Sequence, residues 1–283
     1  MGGLTPGRAG ADAGGRTPRA GDTGSVHDDP GPDPAPDDDP WTALADDWAA
    51  SWGAVADPAR AALLDAVGAG PGTHLLDVGC GTGELLAAAA ARGATPAGAD
   101  AAPGMAARAR RCAPEADVRV ADAEDLPWPD GAFDVVAAVN VLHLADDPAA
   151  AVAEAARVLA PGGLLAVCGW AERDRCELDA VEAALAADDG EQPGPEGPLR
   201  REAPVRALLA GAGLAVEHVA LVDVPWSAPD AGALVRGLLL GEDAAGLADR
   251  GPVVVAAAAP FRHADGSYRF RNAFRLVVAR RPG

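Results

Sequence analysis

The sequence contains no lysine and no isoleucine, so all 23 of its basic residues are arginines. We read this as the imprint of GC-rich codons, which makes its many Ala-rich stretches weak evidence for any one structure. Its four cysteines, Cys80, Cys112, Cys168 and Cys176, are scattered and form no C-x2-C pair. That spacing signals neither a zinc site nor an iron–sulfur cluster, so no metal is expected and a reducing, cytoplasmic setting is. No apolar core of a secretory signal follows the N-terminus, and no stretch approaches the ~18 consecutive apolar residues of a membrane span. Positive charge is also short, with 42 acidic residues giving a formal net charge of -19. An anionic chain is a poor ligand for polyanions, which argues against nucleic acid and anionic membranes as partners. Nothing in the sequence fixes an oligomeric state.

The 283 residues suffice for one ordinary core of ~150 to 250 residues plus a tail or cap. Residues 1–40 hold no aromatic residue and end in "DDPGPDPAPDDDP". Repeated proline and like charge oppose compact packing, so this segment reads as a disordered, solvated extension. From residue 41 the character changes: Trp41, Trp48 and Trp52 recur at helical intervals, and Gly68 and Gly70 supply a stop. Residues 41–70 therefore read as a helical cap. Short apolar runs then alternate with Ala-rich helical stretches. The runs are residues 75–78, 95–99, 118–121, 133–139, 164–169, 214–224 and 271–279. This is the pattern of a doubly wound, Rossmann-like α/β sheet with helices on both faces. Asp265-Gly266 supplies a turn before the last run.

The stretch "LLDVGCGTGELL", residues 75–86, runs from a strand through Gly79, Cys80, Gly81, Thr82 and Gly83 into a helix. Glycine permits the sharp turn and lets a ligand approach the backbone without interference from a Cβ, although a tight strand-to-helix turn uses glycine for structural reasons too. The loop lies where an open parallel sheet binds ligands, beside free helix N–H groups. Asp77 adds a carboxylate to a buried strand end, a costly position unless a cation or a set of donors meets it. Asp100 ends the next strand about twenty residues on, the spacing at which an acid meets ribose hydroxyls, though it also suits a helix N-cap. Asp122 stands at the end of the third strand. Three acids at three neighbouring strand ends mark one rim.

These motifs, together with "GADAAPGM", "VADAEDLPWPDGAFDVVAAVNVLHL" and "EAARVLAPGGLLAV", resemble those of class I S-adenosylmethionine-dependent methyltransferases. The likeness runs strongest over residues 72–170 and leans toward the small-molecule group of the ubiquinone and menaquinone methyltransferases. It implies a seven-stranded, mostly parallel sheet whose last strand runs antiparallel, with S-adenosylmethionine as cofactor and a small-molecule methyl acceptor. It also implies that Asp77 and the loop of Gly79, Cys80, Gly81 and Gly83 hold the methionine part and that Asp100 takes the ribose hydroxyls. Asp122 would accept from the adenine amine, the Ala123 amide would meet a ring nitrogen, and Asn140 would lie beside the transferred methyl. Ala101, a further contact position, and Ala102 stand where the family often has a larger apolar residue and a serine. "APGG", residues 160–163, is the turn before the fifth strand, and "APFRHADGSYRFRNAFRLVVAR" resembles the family's closing hairpin.

Methyl transfer is an in-line displacement on an already activated methyl, so the protein contributes mainly positioning and desolvation. A base is needed only for a protonated nucleophile. His143 is the candidate, although a histidine between apolar residues more often packs or donates. Substrate choice is expected in the cap and in residues 171–283, where an insertion over about 226–261 reads as a helical lid. Trp226, Phe261 and Arg236 are candidates to line an acceptor pocket for an apolar molecule with an anionic group, or else core packers and a surface charge. Arg262, His263 and Arg269 carry the same ambiguity. Two other readings stand beside this one. An NAD-dependent oxidoreductase would want G-x-G-x-x-G in place of the G-x-G-x-G found here. A catalytically inactive cofactor-binding module is the other.

Overall fold

A computed structural model describes residues 39–283. The acidic, proline-rich stretch of residues 1–40 thus lies outside the described residues except for its last two positions. Those two belong to the fold: Pro40 opens the first helix, and the Asp39 carboxylate caps it by accepting from the Thr42 N–H at 2.7 Å.

In chain order the elements are helices α1 (Pro40–Ser51) and α2 (Asp57–Ala66), then β1 (His74–Val78), α3 (Glu84–Ala91), β2 (Thr95–Asp100), α4 (Pro103–Cys112) and β3 (Asp117–Val120). The middle comprises β4 (Phe133–Val139), α5 (Pro148–Val158), β5 (Leu159–Trp170), α6 (Asp179–Asp188), α7 (Glu202–Gly211) and β6 (Ala215–Asp223). The chain closes with β7 (Trp226–Ala228), α8 (Ala231–Leu238), α9 (Ala244–Ala257), β8 (Tyr268–Phe270) and β9 (Ala273–Arg280).

Seven strands form one sheet in the order β3-β2-β1-β4-β5-β9-β6. Neighbours from β3 to β5 are parallel, and β9 runs antiparallel to both β5 and β6. Because side chains alternate across a strand, adjacent residues feed opposite layers. Leu75, Val135, Ala166 and Leu276 pack on one face against Leu63 and Leu64 of α2 and Leu85 of α3. Leu76, Val136, Leu165 and Val277 pack on the other against Val152 of α5 and Leu209 of α7. Both faces are covered, which is why these strands read as continuous apolar runs. The "APGG" residues form an outpouching within β5: pairing with β4 passes from Leu159 opposite Phe133 to Leu164 opposite Val135.

The segment before β9 departs from the expected hairpin. Asp265-Gly266 does turn the chain, with Gly266 at φ +87°, but β8 pairs with β7 in a separate two-stranded sheet, Trp226 opposite Phe270. The partner of β9 is instead β6, from across the insertion. Burial decides it: Trp226 and Phe270 are almost fully enclosed and meet at 5.8 Å. Among the described residues no helix is long and apolar enough to cross a membrane.

Candidate functional site

The strand order reverses direction at β1 and β4, and ligands bind at such a switch point beyond the strand carboxyl ends. A cavity of about 330 Å³ opens there. Asp77, Gly79, Cys80, Gly81, Asp100, Ala101, Asp122, Ala123, Asn140 and His143 all line it. Residues up to 66 positions apart in sequence thereby converge on one hollow, because β1, β2, β3 and β4 are adjacent in the sheet.

Asp77 is 3% exposed, and its Oδ1 has no hydrogen-bond partner. Its strand neighbours are Gly98 on β2 and Ala137 on β4, small residues that leave the carboxylate room. Burial pushes its pKa up to about 8; the Arg60 guanidinium opposes the shift, and the carboxylates of Asp100 and Glu84 add to it. Arg60, from α2, donates to the Gly53 carbonyl at 2.6 Å and to Asp57 at 2.7 Å, and lies 3.7 Å from Glu84. Thr82, 1% exposed, donates to Glu84 at 2.6 Å and so braces the glycine loop.

The Asp100 carboxylate accepts from the Gly81 N–H at 2.8 Å and the Ala102 N–H at 3.0 Å. It is not the helix cap. That position belongs to Ala102, and Asp100 instead ties the glycine loop to the start of α4. Burial raises its pKa while the two N–H groups pull it back. A carboxylate has about four acceptor sites, so hydroxyl donors can still be received. Asp122 is exposed at the rim and accepts from the Glu124 N–H at 2.8 Å.

The three glycines divide their labour. A Cβ on Gly79 would stand 2.4 Å from Val141, and one on Gly83 would stand 2.8 Å from Ala109 of α4. Only at Gly81, with φ +52°, is the space open. Gly83 does not line the cavity: it caps α3 and permits the close approach of α4. Asn140 is the one non-glycine residue with positive φ among the described residues, at +57°. Its N–H donates to the Cys168 carbonyl at 2.7 Å, and its Oδ1, like that of Asp77, is buried without a partner. Strain and orphaned polar atoms concentrate at sites that a ligand completes.

His143 is exposed and lines the cavity, and partial desolvation there, with the Arg200 charge adding to it, lowers its pKa to about 4. The imidazole is therefore neutral at pH 7. Burial holds the Cys80 thiol far above its ordinary range, with Asp77 and Asp100 adding to the effect.

The expected acceptor residues behave otherwise. No residue from 171 to 273 lines the cavity. Trp226 is 3% exposed in the core, stacked on Trp52 at 5.4 Å, and Phe261 packs on Phe270 at 4.7 Å. Arg236, Arg262, His263 and Arg269 face solvent. The insertion over 226–261 backs the cap rather than covering the mouth. The cavity wall is aromatic: Trp41, Trp48 and Trp52 of the expected cap are joined by Trp170 of β5 and Phe274 of β9, which sequence reasoning missed. The helical spacing of the last three was the visible signal; Trp170 and Phe274 are brought together only by the β5–β9 pairing.

Two unpartnered buried oxygens, an open glycine loop and a carboxylate rim fit a cationic, adenosine-bearing ligand with no phosphate. Residues 76–167 match the family described as a methyltransferase domain. A demethylmenaquinone methyltransferase of Beutenbergia cavernae is 39% identical over 122 residues, covering 43% of this chain and 51% of that protein. The nocamycin O-methyltransferase of Saccharothrix syringae is 41% identical over 120 residues, covering 40% and 43%. The chain thus spans about half the length of these curated relatives. Among solved structures, the [4+2]-cyclase SpnF is 26% identical with a TM-score of 0.55, covering 82% of this chain and 84% of that one.

Proposed function

We propose that this chain transfers a methyl group from S-adenosylmethionine to a small-molecule acceptor. The observation that carries the reading is the buried, unpartnered Asp77 oxygen, which shares one hollow with Asp100 and Asp122. A cation is what such a carboxylate lacks. The methyltransferase family match over residues 76–167 supports it.

In this reading residues 41–283 are a single methyltransferase domain, with residues 41–70 as cap, 72–170 as cofactor half and 171–283 as its completion. Asp77 and the Gly79-Cys80-Gly81 turn hold the methionine portion, with Arg60 at hand for its carboxylate. Asp100 receives the ribose hydroxyls, Asp122 and the Ala123 N–H meet the adenine edge beside Ala101, and Asn140 faces the reacting end. S-adenosylmethionine, when bound, supplies the activated methyl. The chain contributes alignment and exclusion of water, effects worth up to ~7 to 11 kcal/mol of barrier. His143, neutral at pH 7, orients the acceptor by a hydrogen bond rather than taking its proton.

The likeness to a [4+2]-cyclase favours a second reading, in which the cofactor is held and no methyl leaves it. Calorimetric titration with S-adenosylmethionine, S-adenosylhomocysteine and NAD tests the cofactor assignment. Binding of NAD and of neither sulfur compound would overturn it. Release of S-adenosylhomocysteine in the presence of an acceptor panel then separates transfer from mere binding.

A further inference from the structure

In a chain so short of positive charge, arginine side chains find partners readily. Among the described residues all but two of them are bonded to a carboxylate or a carbonyl oxygen or lie within ion-pair distance of a carboxylate. Arg236 and Arg262 are the exceptions. Both are exposed, and neither side chain makes a hydrogen bond or ion pair with another described residue.

The two flank one corner of the insertion. Arg262 is bridged to Tyr268, and Tyr268 pairs with Ala228 at the end of β7. Neighbouring strands lie ~4.8 Å apart, which places the Arg262 backbone about 10 Å from Ala228. Two residues past Ala228, Asp230 opens α8, and its carboxylate accepts from the Ala233 N–H at 2.8 Å. Arg236 stands beside that carboxylate without pairing: a Cβ on Gly232 would lie 3.2 Å from Arg236 Nη1 and 3.3 Å from Asp230 Oδ1. Residues 224–272 carry five arginines and five acidic residues, a formal charge of zero in a chain at -19. An anionic segment is therefore repelled less here than by the molecule at large.

The chain supplies such a segment. Residues 20–38 hold Asp22, Asp28, Asp29, Asp33, Asp37 and Asp38 and no arginine, and they run into Asp39, the cap of α1. The 12 residues of α1 cover ~18 Å. Just past its far end, Trp52 donates to the carbonyl of Gly237, the residue after Arg236, at 2.8 Å. The eleven residues 28–38 include four prolines, and a proline-rich stretch of that length reaches up to ~34 Å. The aspartates can thus span from the start of α1 to the two arginines. Exposed ion pairs are individually weak, but a short tether holds its partners together at an effective concentration of about a millimolar.

We infer that the acidic segment of residues 28–38 folds back past α1 and docks on Arg236 and Arg262, binding the N-terminal cap to the insertion from outside. Neither arginine lines the cofactor cavity, so this docking is independent of the methyltransferase reading.

The test is modification of the full chain by phenylglyoxal, which reacts with guanidinium groups, mapped by mass spectrometry at about 20 mM sodium chloride. Arg236 and Arg262 should react about threefold more slowly than in a full chain carrying Asp28→Asn, Asp29→Asn, Asp33→Asn, Asp37→Asn and Asp38→Asn, as a segment docked about two-thirds of the time requires. Arg271, whose side chain is 92% exposed and held by Glu177, is the reference and should react alike in both chains. Equal rates for Arg236 and Arg262 in the two chains overturn the inference, and so does protection that survives about 0.5 M salt. Protection that strengthens between about 1 and about 100 µM protein would assign the segment to a second copy and overturn docking within one chain. Should the substituted chain fail to fold, the salt comparison on the unsubstituted chain decides: Arg236 and Arg262 must gain on Arg271 as salt rises, and a constant ratio overturns the inference.

Discussion

At the scale of single residues, the site is governed by what Asp77 lacks. Its folded pKa of about 8 lies above the ordinary carboxylate value of ~4, so its contribution to stability is complete below about pH 4 and is lost as pH rises through about 8. Asp77→Asn removes that dependence. The melting temperature of the variant relative to the unsubstituted protein should therefore climb between about pH 6 and about pH 8.5, and a constant gap would refute the assignment. A sulfonium beside Asp77 favours the ionised form, so S-adenosylmethionine binding near pH 7 should release protons. Calorimetry in buffers of different ionisation enthalpy reads this directly, with S-adenosylhomocysteine releasing fewer. Asp100→Ala should weaken cofactor affinity by ~1 to 3 kcal/mol, as loss of buried hydrogen bonds does. Part of that loss will come from a looser loop, since Asp100 also holds the Gly81 N–H. Sequence had exposed both acids through their positions at strand ends. It could not apportion the glycines, because what fills the space beside Gly79 and Gly83 is Val141 and Ala109, residues distant along the chain.

At the scale of elements, β1 to β4 were legible to within a residue, while β5 begins at Leu159, five residues before the expected run. Strands buried on both faces announce themselves as apolar runs, and a helix must cross between them. The insertion was misread because one aromatic residue in a sequence does not say which other it meets. Trp226 turns inward, stacks on Trp52 and donates to the Ser51 carbonyl at 3.3 Å, while Trp52 donates to Gly237 of α8. The cap is thus fastened to the insertion through two indoles. Trp226→Leu should cost ~2 to 4 kcal/mol by denaturant unfolding, the range for truncating a large buried side chain.

For the molecule as a whole, acidic residues outnumber basic ones by 42 to 23. Many of the arginines are committed to pairs such as Arg157 with Glu154 and Asp130, or Arg275 with Glu172, so the surplus is uncompensated carboxylate. Added salt screens that repulsion over ~10 Å at 0.1 M. Thermal stability is expected to rise between about 10 mM and about 300 mM sodium chloride, and a fall would mean that the ion pairs outweigh the repulsion. Net charge was plain from the sequence, whereas its concentration around one hollow required the fold.

The position of β9 carries a consequence for how the molecule comes into being. It lies between β5 and β6, so β6 emerges from the ribosome with no neighbour to join and waits about 50 residues for one. During that interval half of the nascent sheet ends at the β5 flank, open to foreign strands. The wedge that shuts it also brings Phe274 to Trp170, so this part of the cavity wall is completed only after the whole insertion has been made.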